Sequence, residues 1–539
     1  SSAGSAHIDY FRRLDDPLAA LTMGENGYTR GLLAGSPALG GGHLLYALEL
    51  FHHDGPWQVD EHYRKFNGLL RYSQGSRFDG WSVTGMAYRG RWTSTDQIPQ
   101  RAVDSGRLDR FGSLDPTTGG EAFRYSLAGE WARRGEQSQS RASLWWQHVG
   151  LDLWSNFQYC LNDMAATGAC GSGDQFKQAE RRQAAGFAVA KSLFDRWGGF
   201  EVENAFGLQG RFDRIQPLGL YATHARHTVT TVREDQVKQY SLALWAQNET
   251  RWNTWFRSIQ GLRADAYWFD VDADRPINGG QADDRMLTPK LSLIFGPWRA
   301  TEFYINYGHG FHSNDARGTT IRVDPGDGTT PVARVRPLVR TRGYELGLRS
   351  EIARGWQSSV ALWQLDADSE LLFVGDAGTT EASRPSRRYG VEWSNLYVPN
   401  DWLAIDADLA WSHARFRDTA AAGDRIPGAV TTTANLGLTV DRLGPWFGAL
   451  RLRYFGPRPL IEDNSLRADS STLTNLRLGY RLARRTQVAL DVYNLFDRRL
   501  NDIEYGYDSQ LTDEAAPVFD RHMHPTEGRT LRLTLTHRF

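Results

Sequence analysis

The first candidates for ligand chemistry are two adjacent histidines followed by an acid. His52, His53 and Asp54 precede a Gly-Pro step and Trp57. Imidazole and carboxylate groups bind metals and polar solutes, so these four side chains are candidate contacts for a ligand. The alternative is a solvated loop that turns at Gly55-Pro56.

Two further histidine pairs fall in segments that we expect to be long loops. His224 and His227 are three residues apart, and His522 and His524 are two apart. A metal site needs several ligands at fixed spacing, and neither pair has a cysteine or carboxylate at such a spacing. The sequence therefore predicts no metal site and no cofactor.

A third set of candidates follows a segment with alternating apolar and polar residues. Tyr304, Asn306, His309 and His312 are expected on, or just above, the polar face of one strand. There they would line the path of a polar solute. Polar side chains that only face water in a large channel would look the same.

The remaining chemistry is limited. Cys160 and Cys170 are the only cysteines, and their short spacing in a polar loop favours a disulfide formed in an oxidising compartment; two free thiols are the alternative. No serine-hydrolase elbow, zinc-protease motif or phosphate loop is present, so an enzyme is not expected. Lys plus Arg is 62 against 63 for Asp plus Glu, which does not favour a nucleic-acid partner.

The elements that must position these residues are strands with one apolar and one polar face. At the C-terminus, Leu531, Leu533, Leu535 and Phe539 alternate with polar residues, and the same period of two recurs at 403–411, 389–394 and 302–307. The charged residues of these segments fall on the polar face. An arginine or lysine that faced the middle of a bilayer would cost about 2–4 kcal/mol.

The connections alternate in length as well. Short turns are expected at 296–300, 351–355, 398–402, 441–445 and 482–485, and long polar segments at 311–337, 375–385, 417–428, 456–470 and 499–528. Outer-membrane barrels have this asymmetry, with the short turns on the periplasmic side. Mean hydropathy is −0.51, as expected when apolar and polar residues alternate along the chain.

The fold class predicted for residues 1–539 is all-β: a closed antiparallel transmembrane β-barrel of about 22 strands, with short periplasmic turns and long extracellular loops. Its first strand is expected near His7–Arg13. A soluble all-β protein such as a propeller is the alternative, but no blade repeat is found. The N-terminus has no basic and apolar regions of a signal peptide. A closed sheet has no free edge, so a monomer is expected.

Several motifs resemble those of one family of outer-membrane proteins. Asp491–Asp497 contains the Asn-Leu-Phe-Asp segment typical of the penultimate strand of TonB-dependent receptors, and the strand ending at Phe539 is similar to their terminal strand. Pro289–Pro297 and Tyr304–Phe311 resemble the mid-barrel hairpin of the family. Asp54–Trp57 and Asp96–Pro99 resemble loop motifs of one branch.

The resemblance implies a function. A bacterial outer-membrane receptor of this kind takes up a scarce solute, such as a siderophore, vitamin, metal chelate or carbohydrate, with energy delivered by TonB through a plug domain. The C-terminal residues Leu531, Leu533, Leu535 and Phe539 would form the assembly signal. No plug is seen in this chain, so a plug on a longer native chain is expected. A plugless passive or gated pore is the alternative, followed by a barrel enzyme.

Overall fold

The computed structural model describes residues 9–369, 371–374, 379–382 and 384–539. Twenty-two antiparallel strands form one closed sheet. In chain order, β1–β22 are Leu18–Gly24, Thr29–Gly35, Gly42–His53, Tyr63–Gly75, Gly80–Thr93, Gly119–Arg134, Ser138–Ser155, Phe176–Trp197, Phe200–His224, His227–Arg251, Phe256–Ala273, Gly280–Trp298, Thr301–Ser313, Leu338–Ala353, Trp356–Ala367, Ser386–Tyr397, Leu403–Phe416, Thr432–Leu443, Trp446–Phe455, Ser471–Ala483, Thr486–Tyr493 and Thr530–Arg538. The predicted fold class is confirmed.

The sheet closes where its first strand pairs with its last. The register of β1 and β22 runs from Leu18 opposite Arg538 to Gly24 opposite Arg532. Closure satisfies the edge groups of both strands, which lipid cannot do. After Pro37, which has no amide hydrogen, β2 continues as the short strand Ala38–Leu39, which also pairs with β3.

The connections differ sharply between the two ends of the barrel. At the end that contains both termini they are short, for example 198–199, 299–300, 354–355 and 484–485. At the other end they include 94–118, 156–175, 314–337, 417–431 and 494–529. The long connections carry short helices, α1 (Gln100–Asp104), α2 (Leu161–Thr167) and α3 (Ala316–Thr320), a 3₁₀ turn at Pro276–Asn278, and short strands at Ile98–Pro99, Leu371–Val374, Thr379–Ala382, Arg458–Pro459, Arg467–Ala468, Asn501–Ser509 and Val518–Pro525.

Apolar and polar side chains alternate along each strand, so the outer face of the barrel is apolar. Leu50, Leu144, Leu244 and Leu346 belong to a band of large apolar side chains that are exposed on the outer face. Neighbours one residue away along each strand face the lumen, because successive strand residues point to opposite sides. Among the described residues, no helix is both long and apolar enough to cross a bilayer.

Two expectations about the elements are wrong. Among the described residues the first strand begins at Leu18, and residues 9–17 make no strand; His7, where the predicted strand starts, lies outside the described residues. Arg12 donates to the backbone oxygen of Gln74 at the short-turn end. His224 and His227 do not lie in a long loop. They face each other across the turn 225–226 of a hairpin whose strands β9 and β10 have 25 residues each.

The side assignment of β10 can be tested with one substitution on each face. Leu244 is 62% exposed on the outer face, whereas Gln247 is exposed on the lumen face. Leu244→Arg should lower the free energy of unfolding by about 2–4 kcal/mol in lipid vesicles, and Gln247→Arg should change it little. Urea unfolding followed by tryptophan fluorescence measures both. Equal losses in the two variants would contradict the assignment.

Candidate functional site in the lumen and its extracellular mouth

The connection 314–337 folds back into the barrel. Its helix α3 is buried along its whole length, and Ala316 packs against the inner side chains of β9–β11. The cluster consists of Ile215, Val237, Phe269, Val271, Ala273 and Ala316. The loop is thus held inside the mouth by burial of apolar surface.

Asn278 fixes the same loop by hydrogen bonds. Its Oδ1 accepts from the backbone amides of Arg322 and Val323 at 2.9 and 3.0 Å, and its Nδ2 donates to the Val323 carbonyl at 3.0 Å. The Thr320 hydroxyl donates to the Asn278 carbonyl. Asn278 is 1% exposed, so its replacement by an apolar residue would leave buried amides without partners.

A cavity of about 520 Å³ lies under this loop on the lumen side. Its volume falls in the range of sites for small molecules. Its walls come from β7–β11 and from the loop itself. The lining includes Gln178, Glu180, Arg182, Arg211, Gln239, Ser241, Tyr267, Asn314, Asp315 and Arg317. Apolar residues such as Ile215 and Val237 also line it, so the lining is mixed. Its guanidinium groups can donate to oxygen acceptors.

Most charges on this wall are paired within their own strand. Arg211 donates from Nε and Nη2 to Asp213 at 2.6 and 2.8 Å, and Arg263 pairs with Asp265 in the same way at 2.9–3.0 Å. Arg233 pairs with Asp235 on β10. Residues two apart on a strand share a face, so each arginine meets its acid without help from a distant element.

The guanidinium groups of Arg182 and Arg211 each have one nitrogen that is free to donate a hydrogen bond into the cavity. Arg211 uses Nε and Nη2, and Arg182 uses Nε toward Glu180 and Nη1 toward Asp213. Nη1 of Arg211 and Nη2 of Arg182 make no hydrogen bond within the described part of the chain. These two nitrogens can donate charge-assisted hydrogen bonds to a carboxylate or other anionic oxygen.

A second group of loops covers another part of the mouth. The strands Asn501–Ser509, Val518–Pro525 and Ile98–Pro99 form a small sheet. Arg101 of α1 holds it by donating to Glu514 at 2.7 and 2.8 Å. His522 is fully buried in this sheet, where it contacts the Ser509 hydroxyl at 2.7 Å and stacks on Tyr507. Burial, with Arg101 nearby, lowers the pKa of His522 to about 3.

The first predicted group of site residues is divided: His52 and His53 are on opposite faces of β3, and Asp54 and Trp57 lie in the connection that follows. Trp57 is buried and lies 4.4 Å from His524 between ring centroids. His53 contacts Glu527 at 3.3 Å on the inner side. His52 shares the parity of the lipid-facing Leu50, so it faces outward and does not line the lumen. Asp54 lies between the imidazoles of His52 and His62, at 3.2 and 2.9 Å.

The second predicted group, on β13, is also divided. Tyr304 faces the lumen, where its ring covers Gly347 so closely that a Cβ would not fit. Asn306 and His312 share its parity. His309 does not: its Nε2 is 2.6 Å from the hydroxyl of the outward-facing Tyr307. Its expected place on the polar face is therefore wrong by one residue. The structure does not join the β3 and β13 groups into one site.

The predicted disulfide is confirmed, between Cys160 and Cys170 with Cα atoms 5.3 Å apart. It closes the loop that contains α2, beside the second group of loops. The C-terminal Leu531, Leu533, Leu535 and Phe539 are all exposed, with the leucines on the outer face of β22. Their role in assembly stays a prediction. Among the described residues, no group of three or more His, Cys, Asp or Glu is arranged to hold a metal ion.

The cavity residues were not among the sequence candidates. For one of them, Arg211, a signal does exist in the spacing, because Arg-x-Asp occurs at 211–213, 233–235 and 263–265 on three consecutive strands. Such spacing predicts paired charges on one strand face. The contribution of Asn314, Asp315 and Arg317 has no such signal, because it depends on how a long loop folds.

A closed barrel with lipid-facing leucines, short turns at one end and folded loops at the other defines a large outer-membrane β-barrel. Residues 51–495 match the family described as TonB dependent receptor-like, beta-barrel. The chain belongs to this family, and the resemblance seen in the sequence is confirmed. Its homologues are receptors and transporters, not enzymes.

Individual relatives are distant. The metal-pseudopaline receptor CntO of Pseudomonas aeruginosa is 23% identical over 289 residues, which cover 49% of this chain and 38% of that receptor. The structure of the ferric citrate transporter FecA in the unliganded form superposes with a TM-score of 0.77 at 14% identity. The superposition covers 98% of this chain and 79% of the FecA chain. The ferric yersiniabactin uptake receptor FyuA from Yersinia pestis gives 0.75 at 15%, with coverages of 97% and 80%. At these identities the superpositions establish the fold.

Two carboxyl groups at the mouth should titrate near neutral pH. Burial raises the pKa of Glu61 to about 7, opposed by nearby His524, and burial likewise raises the pKa of Asp96 to about 7. The folded protein holds these protons more tightly than the unfolded chain does. The free energy of unfolding therefore falls as the pH rises from the ordinary pKa of each carboxyl group to its raised pKa of about 7.

A difference titration tests this expectation. The protein and its Glu61→Gln variant are titrated potentiometrically in the same detergent. The variant should release one proton fewer than the parent, and the difference should be centred near pH 7. The variant should also lose less stability than the parent between pH 5 and 8, by the sign given above. Glu121→Gln, on an exposed outward carboxylate, is the control. A missing proton centred near pH 4.5 would show that Glu61 is not desolvated.

Proposed function

We propose that this chain is the barrel of an energy-coupled outer-membrane receptor that takes up an oxygen-rich metal chelate of the siderophore class. The observation that carries the proposal is the cavity of about 520 Å³ under the inward-folded loop 314–337. Arg182 and Arg211 offer unused guanidinium donors there. Carboxylate, catecholate and hydroxamate oxygens of a chelate are acceptors that suit such donors.

The relatives support the same class of solute. CntO is a receptor for metal-pseudopaline, FecA a transporter of ferric citrate and FyuA an uptake receptor for ferric yersiniabactin. Vitamins and carbohydrates remain the wider range of solutes that such receptors take up. The guanidinium groups of Arg182 and Arg211 in the cavity lining favour the chelates, which carry anionic oxygens.

Energy coupling is part of the proposal. We take residues 1–539 as one barrel domain that works with a plug inside the lumen and, through the plug, with TonB. Large barrels of this strand number enclose a wide lumen, and a plug closes it. The loops at the mouth would then hold the solute above the plug until the plug is displaced.

Binding at the cavity can be measured with the receptor purified in detergent. Isothermal titration calorimetry against ferric citrate, ferric siderophores, cobalamin and an oligosaccharide identifies the solute class. Arg182→Gln combined with Arg211→Gln should weaken binding of the preferred chelate about tenfold or more, because two charge-assisted hydrogen bonds are lost. The matched control is Arg349→Gln, a lumen-side arginine paired with Glu302 near the short-turn end. An equal effect of the control would contradict the cavity as the binding site.

The transport mode is tested in whole cells that make the receptor. Uptake of the labelled solute should stop when a protonophore collapses the proton-motive force. Uptake that continues at an unchanged rate would favour a passive or gated pore. Recovery of a chemically altered solute from the purified protein would favour a barrel enzyme.

A further inference from the structure

The outer face of the barrel carries a row of arginines at its extracellular rim. Arg64 on β4 and Arg89 and Arg91 on β5 are exposed and share the parity of the lipid-facing Phe66 and Val83. All three lie within a few residues of the extracellular ends of their strands. They therefore face the level of the lipid headgroups and not the lumen.

The charges in this row repel one another. Arg64 lies directly opposite Arg91 in the register of β4 and β5, and like charges in directly opposed positions destabilise a sheet. Neither arginine has a carboxylate within 4.0 Å among the described residues, and Arg89 has only Glu121 at 3.8 Å. A bound anion would relieve this repulsion.

A groove of about 710 Å³ begins directly below the row. Leu21, Leu50 and Phe66 form its sides on β1, β3 and β4. Gly31 forms its floor, and a Cβ added there would meet no atom within 4 Å. The groove is therefore open, apolar and turned to the lipid, with the arginines at its upper end.

We propose that this surface is a binding site for a phosphorylated lipid of the outer leaflet. The phosphate accepts hydrogen bonds from Arg64, Arg89 and Arg91, whose planar guanidinium groups suit phosphate oxygens. An acyl chain of the same molecule fills the groove above Gly31. A free anion would satisfy the arginines but would leave the groove empty, so the groove selects the lipid.

The charge half of the site is tested with the full-length receptor in detergent by native mass spectrometry. Phosphatidic acid is the probe, and diacylglycerol and inorganic phosphate are the comparison ligands. Arg64→Gln, Arg89→Gln and Arg91→Gln together should weaken phosphatidic acid binding about tenfold or more. The control changes three other outward, exposed cations, Arg214, Lys238 and Arg285, to glutamine and should keep binding within about twofold.

The groove half is tested without changing any charge. Gly31→Trp should fill the groove and weaken phosphatidic acid binding about tenfold, with the arginines intact. Heat-modifiable migration in gels reports that each variant is folded. If the triple-glutamine variant does not fold, Arg91→Glu is a second test: it should raise the unfolding temperature of the lipid-free protein, by pairing with Arg64, and abolish the stabilisation by phosphatidic acid.

Three results would overturn the proposal. The first is an equal loss of binding in the control triple, which would indicate unspecific attraction. The second is unchanged binding by Gly31→Trp or equal binding of diacylglycerol. The third is displacement of phosphatidic acid by inorganic phosphate at equal concentration, which would identify the site as one for free anions.

Discussion

The backbone hydrogen bonds between β1 and β22 are the constraint on which the rest of this structure depends. A sheet in lipid cannot leave an edge unpaired, because each unpaired polar group costs several kcal/mol. The closing register places Leu21 opposite Leu535 on the outer face and Thr22 opposite Thr534 on the inner face, where the two hydroxyls are 3.0 Å apart. Closure therefore also fixes, for all the remaining strand residues, whether the side chain faces the lipid or the lumen.

That fixed alternation places the chemistry in two locations, the lumen wall and the loops at one end. On the wall, Asp213 is 2% exposed and Asp265 is 4% exposed, and a buried carboxylate is costly unless it is paired and hydrogen-bonded. An arginine two residues earlier on the same strand supplies the partner in both cases. The pairing satisfies the buried carboxylates of the wall. Loop 314–337 then covers part of this wall and forms one side of the cavity.

Much of the wall was predictable from sequence, because it follows from a period of two. The turns predicted at 398–402 and 482–485 coincide with the ends of β16, β17, β20 and β21. The predictions fail where a residue's exact spacing along a strand is overlooked, or where a strand is longer than expected. The prediction places His309 on the face of Tyr304 and Asn306 although it is an odd number of residues from both. A shift of one residue moves a strand side chain to the other face. His224 and His227 look like loop residues, but β9 and β10 continue well beyond the length that a membrane requires.

The loops were beyond prediction for a different physical reason. Loop 314–337 has no periodicity, and its position is determined by contacts with residues far away in sequence. Ala316 belongs to the same apolar cluster as Phe269, and the amide of Val323 donates a hydrogen bond to Asn278. Such contacts depend on the shape of the finished barrel. The disulfide between Cys160 and Cys170 is easier to predict. Two cysteines that lie close together in the sequence of a protein from an oxidising compartment have few alternatives to pairing with each other.

The same residue type is treated differently on the two sides of the rim. On the lumen side Arg211 has an acid two positions away, so its charge is balanced within the protein. On the outer side Arg64 faces Arg91, and the side chain two positions away is Phe66. A protein that had only to reduce the cost of outward charge would have placed an acid or a neutral residue at one of these positions. Retaining both arginines beside an open apolar groove is consistent with an external anion as part of the folded state in the membrane.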